Sequence, residues 1–266
     1  MTQHEPRRYR RLIAPEGLVA FEVGVGETDL MVLTGSELRE ETRAAAREAR
    51  RVIESHGALH PEFLSARRPL PAVDGAPDVI TAMYRAGQVA GTGPMAAVAG
   101  AVAEHVARAL AEHSHEVIVE NGGDIFMITR QERRVAVTAP GSPMDGRLAI
   151  VIPPGKGAIC TSSGTVGHSS SAGRADAVVV AAPEGAVADA VATATANRIS
   201  DPEDVESAIA WARDRGDVQH ILIICGQTIA ACGQFELTSG SATVGRARPP
   251  ARALHQKEHT SDNDSG

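Results

Sequence analysis

The segment that most constrains the fold of this chain is GAICTSSGTVGHSSSAGRADAVVVAAPEGAVADAVATATAN, residues 157–197. A hydroxyl-rich turn leads into AVVVAA, an apolar run typical of a buried strand, and an alanine-rich helix that opens on Asp189 follows. Asp189 and Thr193 are four residues apart, so they share one face of this helix. A carboxylate and a hydroxyl in that arrangement could bind a hard cation such as Mg²⁺. The structural alternative is that Asp189 interacts with the dipole at the helix start and that Thr193 is a tolerated small residue.

The composition limits the core and the partners. Of the 266 residues 43% are hydrophobic but only 3% aromatic, so Ala, Val, Leu and Ile must fill the interior. Few aromatic rings are available to stack on bases, and a formal net charge of -7 disfavours a nucleic-acid-binding surface, because neutralising its phosphates needs a basic face. The composition therefore argues against a nucleic-acid partner and favours a small molecule or a protein.

The cysteines and the amino terminus indicate the compartment. Cys160, Cys225 and Cys232 form neither a disulfide framework nor a paired zinc motif, and an odd number suits a reducing compartment. The first residues, MTQHEPRRYRRLIAPEG, have arginines without an apolar run behind them, and no segment approaches the ~18 apolar residues of a membrane span. We therefore expect a cytoplasmic protein without a membrane partner.

The order of the elements predicts an α+β fold, with antiparallel or mixed sheets covered by helices in a single compact domain. Alternating apolar runs between residues 10 and 33 predict antiparallel strands. Ser36 is expected to cap the first helix and Gly57 to end it. The expected helices lie near residues 36–56, 94–113 and 187–198.

The ends of the chain are expected to differ from this domain. Residues 1–10 are predicted to be a flexible amino terminus, and residues 11–244 to form the α+β domain. Residues 245–266 are polar, contain prolines and lack periodicity, so we expect a disordered tail.

The turn Asn121-Gly122-Gly123-Asp124 lies between two apolar runs and is a strong signal for a β-hairpin. That structural interpretation accounts for the glycines by itself. In a functional interpretation, the paired glycines let backbone N–H groups approach a phosphate or a ring edge, and Asp124 accepts a hydrogen bond from the ligand.

Three segments, in this order, resemble the ApbE-like superfamily, whose best-known members are FAD:protein FMN transferases. NGGD at 121–124 is similar to the family's glycine-pair turn ending in an acid. AICTSSG at 158–164 resembles the family's TSG turn, with His168 downstream where the family places a histidine. ADAVAT at 188–193 is similar to the family's A-D-A-x-A-T. The similarity spans roughly residues 90–235, and the hydroxyl-rich segment resembles a separate, cytoplasmic branch of the superfamily.

The resemblance implies an ApbE-like fold and a chemistry. The resemblance implies that Asp189 and Thr193 bind Mg²⁺ and that His168 or Asp124 is the general base. FAD is the substrate or ligand, its pyrophosphate lies between the turns, and a hydroxyl of a target protein displaces AMP. The residues implied in flavin binding are Gly122, Gly123, Thr161, Ser162, Ser163 and Gly164.

The chain also departs from the transferases. Glu120 stands where the motif has an asparagine, and HSSSAGRADAV replaces a His-x-x-Asp-Pro pattern. Alternatives to FMN transfer therefore stay open: hydrolysis of FAD to FMN and AMP, a non-catalytic flavin-binding accessory protein of a redox system, or a scaffold. Assembly into a homo-oligomer is likewise left open.

Overall fold

A computed structural model describes residues 17–163 and 174–240. The predicted flexible terminus at 1–10 and the predicted tail at 245–266 lie outside the described residues. Within the described part, no helix is both long and apolar enough to cross a bilayer.

The described strands form two antiparallel sheets. The large sheet has eight strands in the order β1-β2-β3-β4-β7-β8-β9-β10, and the small sheet has three in the order β11-β6-β5. The strands are β1 (Val19–Val25), β2 (Thr28–Thr34), β3 (Val117–Asn121), β4 (Asp124–Thr129), β5 (Arg133–Ala136), β6 (Leu148–Ile152), β7 (Gly155–Ser162), β8 (Ala177–Ala182), β9 (His220–Cys225), β10 (Thr228–Gly233) and β11 (Glu236–Ser239).

Helices cover one face of the large sheet. They are α1 (Arg39–Leu59), α2 (Pro61–Ser65), α3 (Asp78–Ala90), α4 (Val98–Leu110), α5 (Gly185–Ala196) and α6 (Val205–Arg213), with short 3₁₀ turns at Pro94–Ala97 and Pro202–Asp204. The small sheet covers the opposite face, so the molecule has three layers.

Strands β1–β4 and β7–β9 of the large sheet contribute alternate residues to two cores, because successive side chains point to opposite faces. Val32 and Val180 pack with the helices, whereas Leu33 and Val179 pack with the small sheet. All six residues of β8 are buried, which explains why AVVVAA is continuously apolar rather than alternating.

The predicted α+β class with antiparallel sheets is confirmed, and several boundaries differ. The first helix begins at Arg39, and Ser36 does not cap it. Gly57 lies inside α1, which continues to Leu59. A glycine fits there because α2 folds back against α1, and a Cβ on Gly57 would come within 2.6 Å of the Leu64 side chain. The helix expected from Pro94 begins as a 3₁₀ turn before α4, and α3 is a separate helix that the sequence did not predict.

Candidate functional site

Helices α4 and α5 cross in backbone contact at a pair of glycines. A Cβ on Gly100 would lie 2.1 Å from the carbonyl oxygen of Gly185, and a Cβ on Gly185 would lie 2.3 Å from that of Gly100. Neither position can therefore hold a larger residue without moving a helix. The small-residue face of α4 serves close helix packing, and this packing positions the side chains described next.

Each of the two helices is capped by a carboxylate of the other. Asp189 Oδ2 on α5 accepts a hydrogen bond of 2.9 Å from the Gly100 N–H and also interacts with the Ala99 N–H, both in the first turn of α4. Glu104 Oε2 on α4 accepts 2.7 Å from the N–H of Gly185, the first residue of α5. Neither helix has a side-chain cap from its own N-cap residue, so these contacts satisfy N–H groups that would otherwise lack partners.

The placement of Asp189 corrects one expectation. Asp189 was expected to open its own helix, but α5 begins four residues earlier, at Gly185. Its carboxylate instead interacts with the N-terminus of α4, where the helix dipole favours negative charge. Thr193 follows one turn later on α5 and is half-buried.

The large sheet brings two further groups to this crossing. Asp124 begins β4, and its Oδ1 accepts a hydrogen bond of 3.2 Å from the Thr161 N–H on β7. Cys160 hydrogen bonds with Asp124, and its Sγ lies 3.6 Å from the carbonyl oxygen of Gly185. Residues from all three segments of the predicted site, Asp124, Thr161 and Asp189, therefore belong to one cluster.

The electrostatics of the cluster are those of two carboxyls that are removed from water. Burial raises the pKa of Asp124 well above its ordinary value, and the Asp189 charge raises it further. Burial also raises the pKa of Asp189 to about 7, although the N–H groups of Gly100 and Ala99 favour its ionised form. Burial together with these two carboxyls raises the pKa of the Cys160 thiol, which is therefore a hydrogen-bond donor and not a thiolate.

The glycine pair forms the predicted hairpin. Asn121 pairs with Asp124, and Gly122 and Gly123 have φ of 69° and 107°, as a type I′ turn requires. The Gly123 N–H donates to Glu120 Oε1 at 2.7 Å. Gly122 is exposed to solvent, whereas Gly123 is half-buried. The side chain of Asn121 donates to the carbonyl oxygen of Ala99 at 3.1 Å and joins the hairpin to the start of α4.

The hydroxyl segment is only partly described. Thr161 and Ser163 are half-buried, whereas Ser162 is buried. No partner within the described residues hydrogen bonds with Ser162 Oγ. Gly164 and His168 lie outside the described residues.

The donor chemistry fits a Mg²⁺ ion. Two buried carboxyls repel each other and hold protons at a pH where carboxyls are ordinarily ionised, a condition that a divalent cation relieves. In residues 17–163 and 174–240, no group of three or more His, Cys, Asp and Glu side chains is placed to bind a metal. Mg²⁺ is commonly bound through one or two carboxylates completed by water and substrate phosphates, and two carboxyls are compatible with that pattern.

Glu104 was not identified as part of the site from sequence, and Asn121 was noted only as a member of the hairpin turn. Glu104 lies on a helix whose charged residues look solvated, and its partner Gly185 is 81 residues away. The available signal was glycine in two helices rich in alanine and valine, since glycine in a helix is unfavourable unless a close approach requires it.

Solved structures identify the class of fold. The flavin transferase ApbE from Vibrio cholerae has a similar structure, with a TM-score of 0.54 and 15% sequence identity, covering 84% of this chain and 97% of that one. The flavinyl transferase ApbE from Pseudomonas stutzeri gives a TM-score of 0.55 at 14% identity, covering 81% and 94%. The fold is therefore that of the ApbE-like superfamily, as the three motifs implied.

Sequence similarity then gives the family. Residues 10–231 match the protein family described as AbpE bacteria. A UPF0280 protein of Methanopyrus kandleri is 38% identical over 245 residues, which are 87% of this chain and 99% of that protein. The chain belongs to the AbpE bacteria family.

Proposed function

We propose that this protein processes flavin by acting on the pyrophosphate of FAD with Mg²⁺, either transferring FMN to a hydroxyl of a target protein or hydrolysing FAD to FMN and AMP. The observation that carries the proposal is the meeting of Asp124 and Asp189, two buried carboxyls from separate motifs, beneath the crossing of α4 and α5. Two proteins with the same fold are flavin transferases, which makes a flavin nucleotide the first ligand to test.

In this proposal each site residue has its own role in binding the cation or the pyrophosphate. Asp189, with Thr193 one turn away, and Asp124 hold the cation, while exposed Gly122 lets the pyrophosphate approach the hairpin. Ser162 offers a buried hydroxyl without a partner in the described part of the chain, and a phosphate oxygen would supply one. When bound, Mg²⁺ would neutralise negative charge on the phosphoryl group that the nucleophile attacks.

The base in this proposal is His168, with Asp124 as the alternative. A general base must be unprotonated, and burial raises the pKa of Asp124 well above its ordinary value. Asp124 could therefore act as the base only in its ionised form, and only if it does not itself bind the cation. The three free thiols suit a reducing compartment, so the proposed setting is the cytoplasm.

A non-catalytic flavin-binding accessory protein is the second candidate. The observation in its favour is that capping α4 accounts for Asp189 without any metal. Such a protein would bind flavin without releasing AMP.

The decisive experiment incubates the purified protein with FAD and follows AMP. AMP release that requires Mg²⁺, stops in EDTA and is lost in Asp124→Asn and Asp189→Asn supports the enzyme. A protein that retains flavin but releases no AMP supports the accessory function. Adding a protein acceptor then separates transfer, which leaves FMN covalently attached, from hydrolysis, which leaves it free.

A further inference from the structure

Strand β10 is an edge of the large sheet, and its composition differs from that of the other sheet edges in the described residues. The edge strands β1, β5 and β11 each carry an exposed charged side chain, namely Glu22, Arg134 and Glu236. β10 reads TIAACG, with no charged residue and no proline. Because charge and proline keep edge strands from pairing with a second chain, β10 is the edge that remains open to such pairing.

The register of the hairpin formed by β9 and β10 shows which backbone groups of β10 point outward. Cys225 pairs with Thr228 across a two-residue turn, so these two residues exchange both backbone hydrogen bonds, and bonded and non-bonded pairs alternate from there. The N–H and C=O groups of Ile229 and Ala231 therefore point away from β9. Both residues are exposed, and neither has a hydrogen-bond partner on that side within residues 17–163 and 174–240.

The opposite edge of the large sheet is covered where a second strand would pair. In β1 the same alternation, counted from the pair Val25 and Thr28, points the backbone of Glu22 outward. The carbonyl oxygen of Glu22 accepts a hydrogen bond of 2.7 Å from Nη1 of Arg39 on α1. In the described part of the chain, no side chain makes such a bond to β10.

We propose that β10 is the dimer interface of this protein, where it pairs antiparallel with β10 of a second copy. A strand that pairs with its own copy does so about a twofold axis, so a single contact closes the assembly and leaves no free β10 edge. No like charges meet across this pair, whereas pairing with β1, β5 or β11 would place a charged residue against an uncharged strand. The second copy is therefore the occupant that matches this edge.

The register of the proposed pair follows from the shape of β10. Gly233 has a φ of 136°, which ends the regular strand, so Thr228–Cys232 is available and Ala230 is its centre. With Ala230 on the axis, Ile229 lies opposite Ala231 of the second copy. The outward N–H and C=O groups of both residues then find partners at both of these pairs.

The proposed interface is separate from the proposed flavin site. Thr161 of that site lies on β7, and β8 and β9 stand between β7 and β10. The loss of the dimer should therefore leave FAD affinity unchanged.

Sedimentation velocity of the full chain over a dilution series tests the proposal. A strand edge buries little area, so we expect a concentration-dependent equilibrium between the 27.7 kDa monomer and a dimer. Ala231→Pro removes an outward N–H and leaves the hydrogen bonds with β9 in place. Because the twofold axis repeats this loss, the dissociation constant of the dimer should rise at least about tenfold.

Gly24→Pro is the matched control on the opposite edge. Gly24 also has an outward N–H by the alternation in β1, is exposed, and has nothing within 4 Å of an added Cβ. This variant should dimerise as the wild type does. Urea unfolding confirms that both proline variants are folded.

A disulfide tests the register. In an antiparallel pair centred on Ala230, the Cα atoms of the two copies of this residue are about 4.5 Å apart, within the range of a disulfide. Ala230→Cys should therefore form a covalent dimer under oxidised glutathione, with the bond mapped between the two copies of position 230. Gly24→Cys is the control and should form none.

Three results would overturn the assignment. The first is a wild type that stays monomeric at every concentration, whether β10 is bare or covered by residues outside the described ranges. The second is a dimer of unchanged affinity in Ala231→Pro, and the third is an equal loss of affinity in Gly24→Pro and Ala231→Pro.

Discussion

The carboxyl of Asp189 makes a structural contact and is also a proposed ligand of the cation. One oxygen caps α4, and the environment that makes this cap possible also raises the pKa to about 7. A carboxylate has lone pairs for more than two partners, so the cap does not exclude a cation. The nearby Asp124 accepts from one backbone donor, Thr161, and burial together with the Asp189 charge raises its pKa well above its ordinary value.

Ser162→Ala tests the buried hydroxyl without a partner. Because Ser162 Oγ makes no hydrogen bond within the described residues, its removal should leave the free energy of unfolding unchanged or raise it by up to about 2 kcal/mol. The affinity for FAD should fall about fivefold, since one neutral hydrogen bond is lost. Urea unfolding and FAD titration measure the two effects, with Ser65→Ala on α2 as the control. A destabilised variant with unchanged FAD affinity would make Ser162 purely structural.

Thr193→Val tests the second proposed cation ligand. The change keeps the branched shape and deletes the hydroxyl at a half-buried position, so the Mg²⁺-dependent part of FAD affinity should fall by about tenfold or more while the fold persists. Thr195→Val is the matched control, because the Thr195 hydroxyl on the same helix donates to the carbonyl oxygen of Val191. Equal FAD affinities in the two variants would remove Thr193 from the site.

At the scale of elements, the unit that defines the site is the pair α4 and α5. The two helices run antiparallel through the crossing, since Gly100 meets Asp189 and Glu104 meets Gly185. Their amino-terminal turns are thereby brought to the same place, above Asp124 and Cys160. Two helix N-termini at one point favour anions, which agrees with buried carboxyls and with a phosphate ligand.

Gly100→Ala should separate these helices. Alanine is the better helix former by about 1 kcal/mol, but here its Cβ would lie 2.1 Å from the Gly185 oxygen, so we expect a net loss of about 2–3 kcal/mol or more. Gly24→Ala in β1 is the control, because nothing lies within 4 Å of a Cβ there. Its free energy of unfolding should change by about 0.5 kcal/mol or less. A Gly100→Ala variant as stable as wild type would contradict the close crossing.

Local signals predicted the elements that depend on local chemistry. The NGGD hairpin was predictable because a type I′ turn needs two positive φ angles, which glycine provides. The cap on α4 was not, because Asp189 reaches across 89 residues to Gly100 and no pattern of spacing encodes that contact. The start of α1 at Arg39 rather than Ser36 has the same origin: a capping residue in the sequence does not ensure that its side chain is used.

At the scale of the whole molecule, the three-layer arrangement keeps the site carboxyls away from water. The large sheet is covered on both faces, and the cluster lies on the helix side near the turn of one hairpin. The close contact of α4 with α5 is made at Gly100 and Gly185, where any added side chain would meet the backbone of the other helix.

The stability of the metal-free protein should depend on pH through Asp189. Its pKa is raised to about 7 in the folded state, so the folded protein binds more protons than the unfolded chain at mildly acidic pH. Its contribution to stability is therefore complete at low pH and is lost as the pH rises through about 7. Relative to Asp189→Asn, the free energy of unfolding of wild type in EDTA should fall by on the order of 2 kcal/mol from about pH 5 to about pH 8. Urea unfolding at each pH measures the difference, and a difference independent of pH would contradict the raised pKa.

The most direct test of the central claim is a titration of FAD into wild type and Asp189→Asn, each with Mg²⁺ and with EDTA. The substitution removes the charge, nearly preserves the shape and leaves an oxygen able to accept the Gly100 N–H, so both proteins should be folded. The account predicts that Mg²⁺ strengthens FAD binding by wild type, that EDTA abolishes the gain, and that Asp189→Asn shows no gain at all. Equal FAD binding by both proteins, unaffected by EDTA, would contradict a metal-dependent flavin site at this carboxylate.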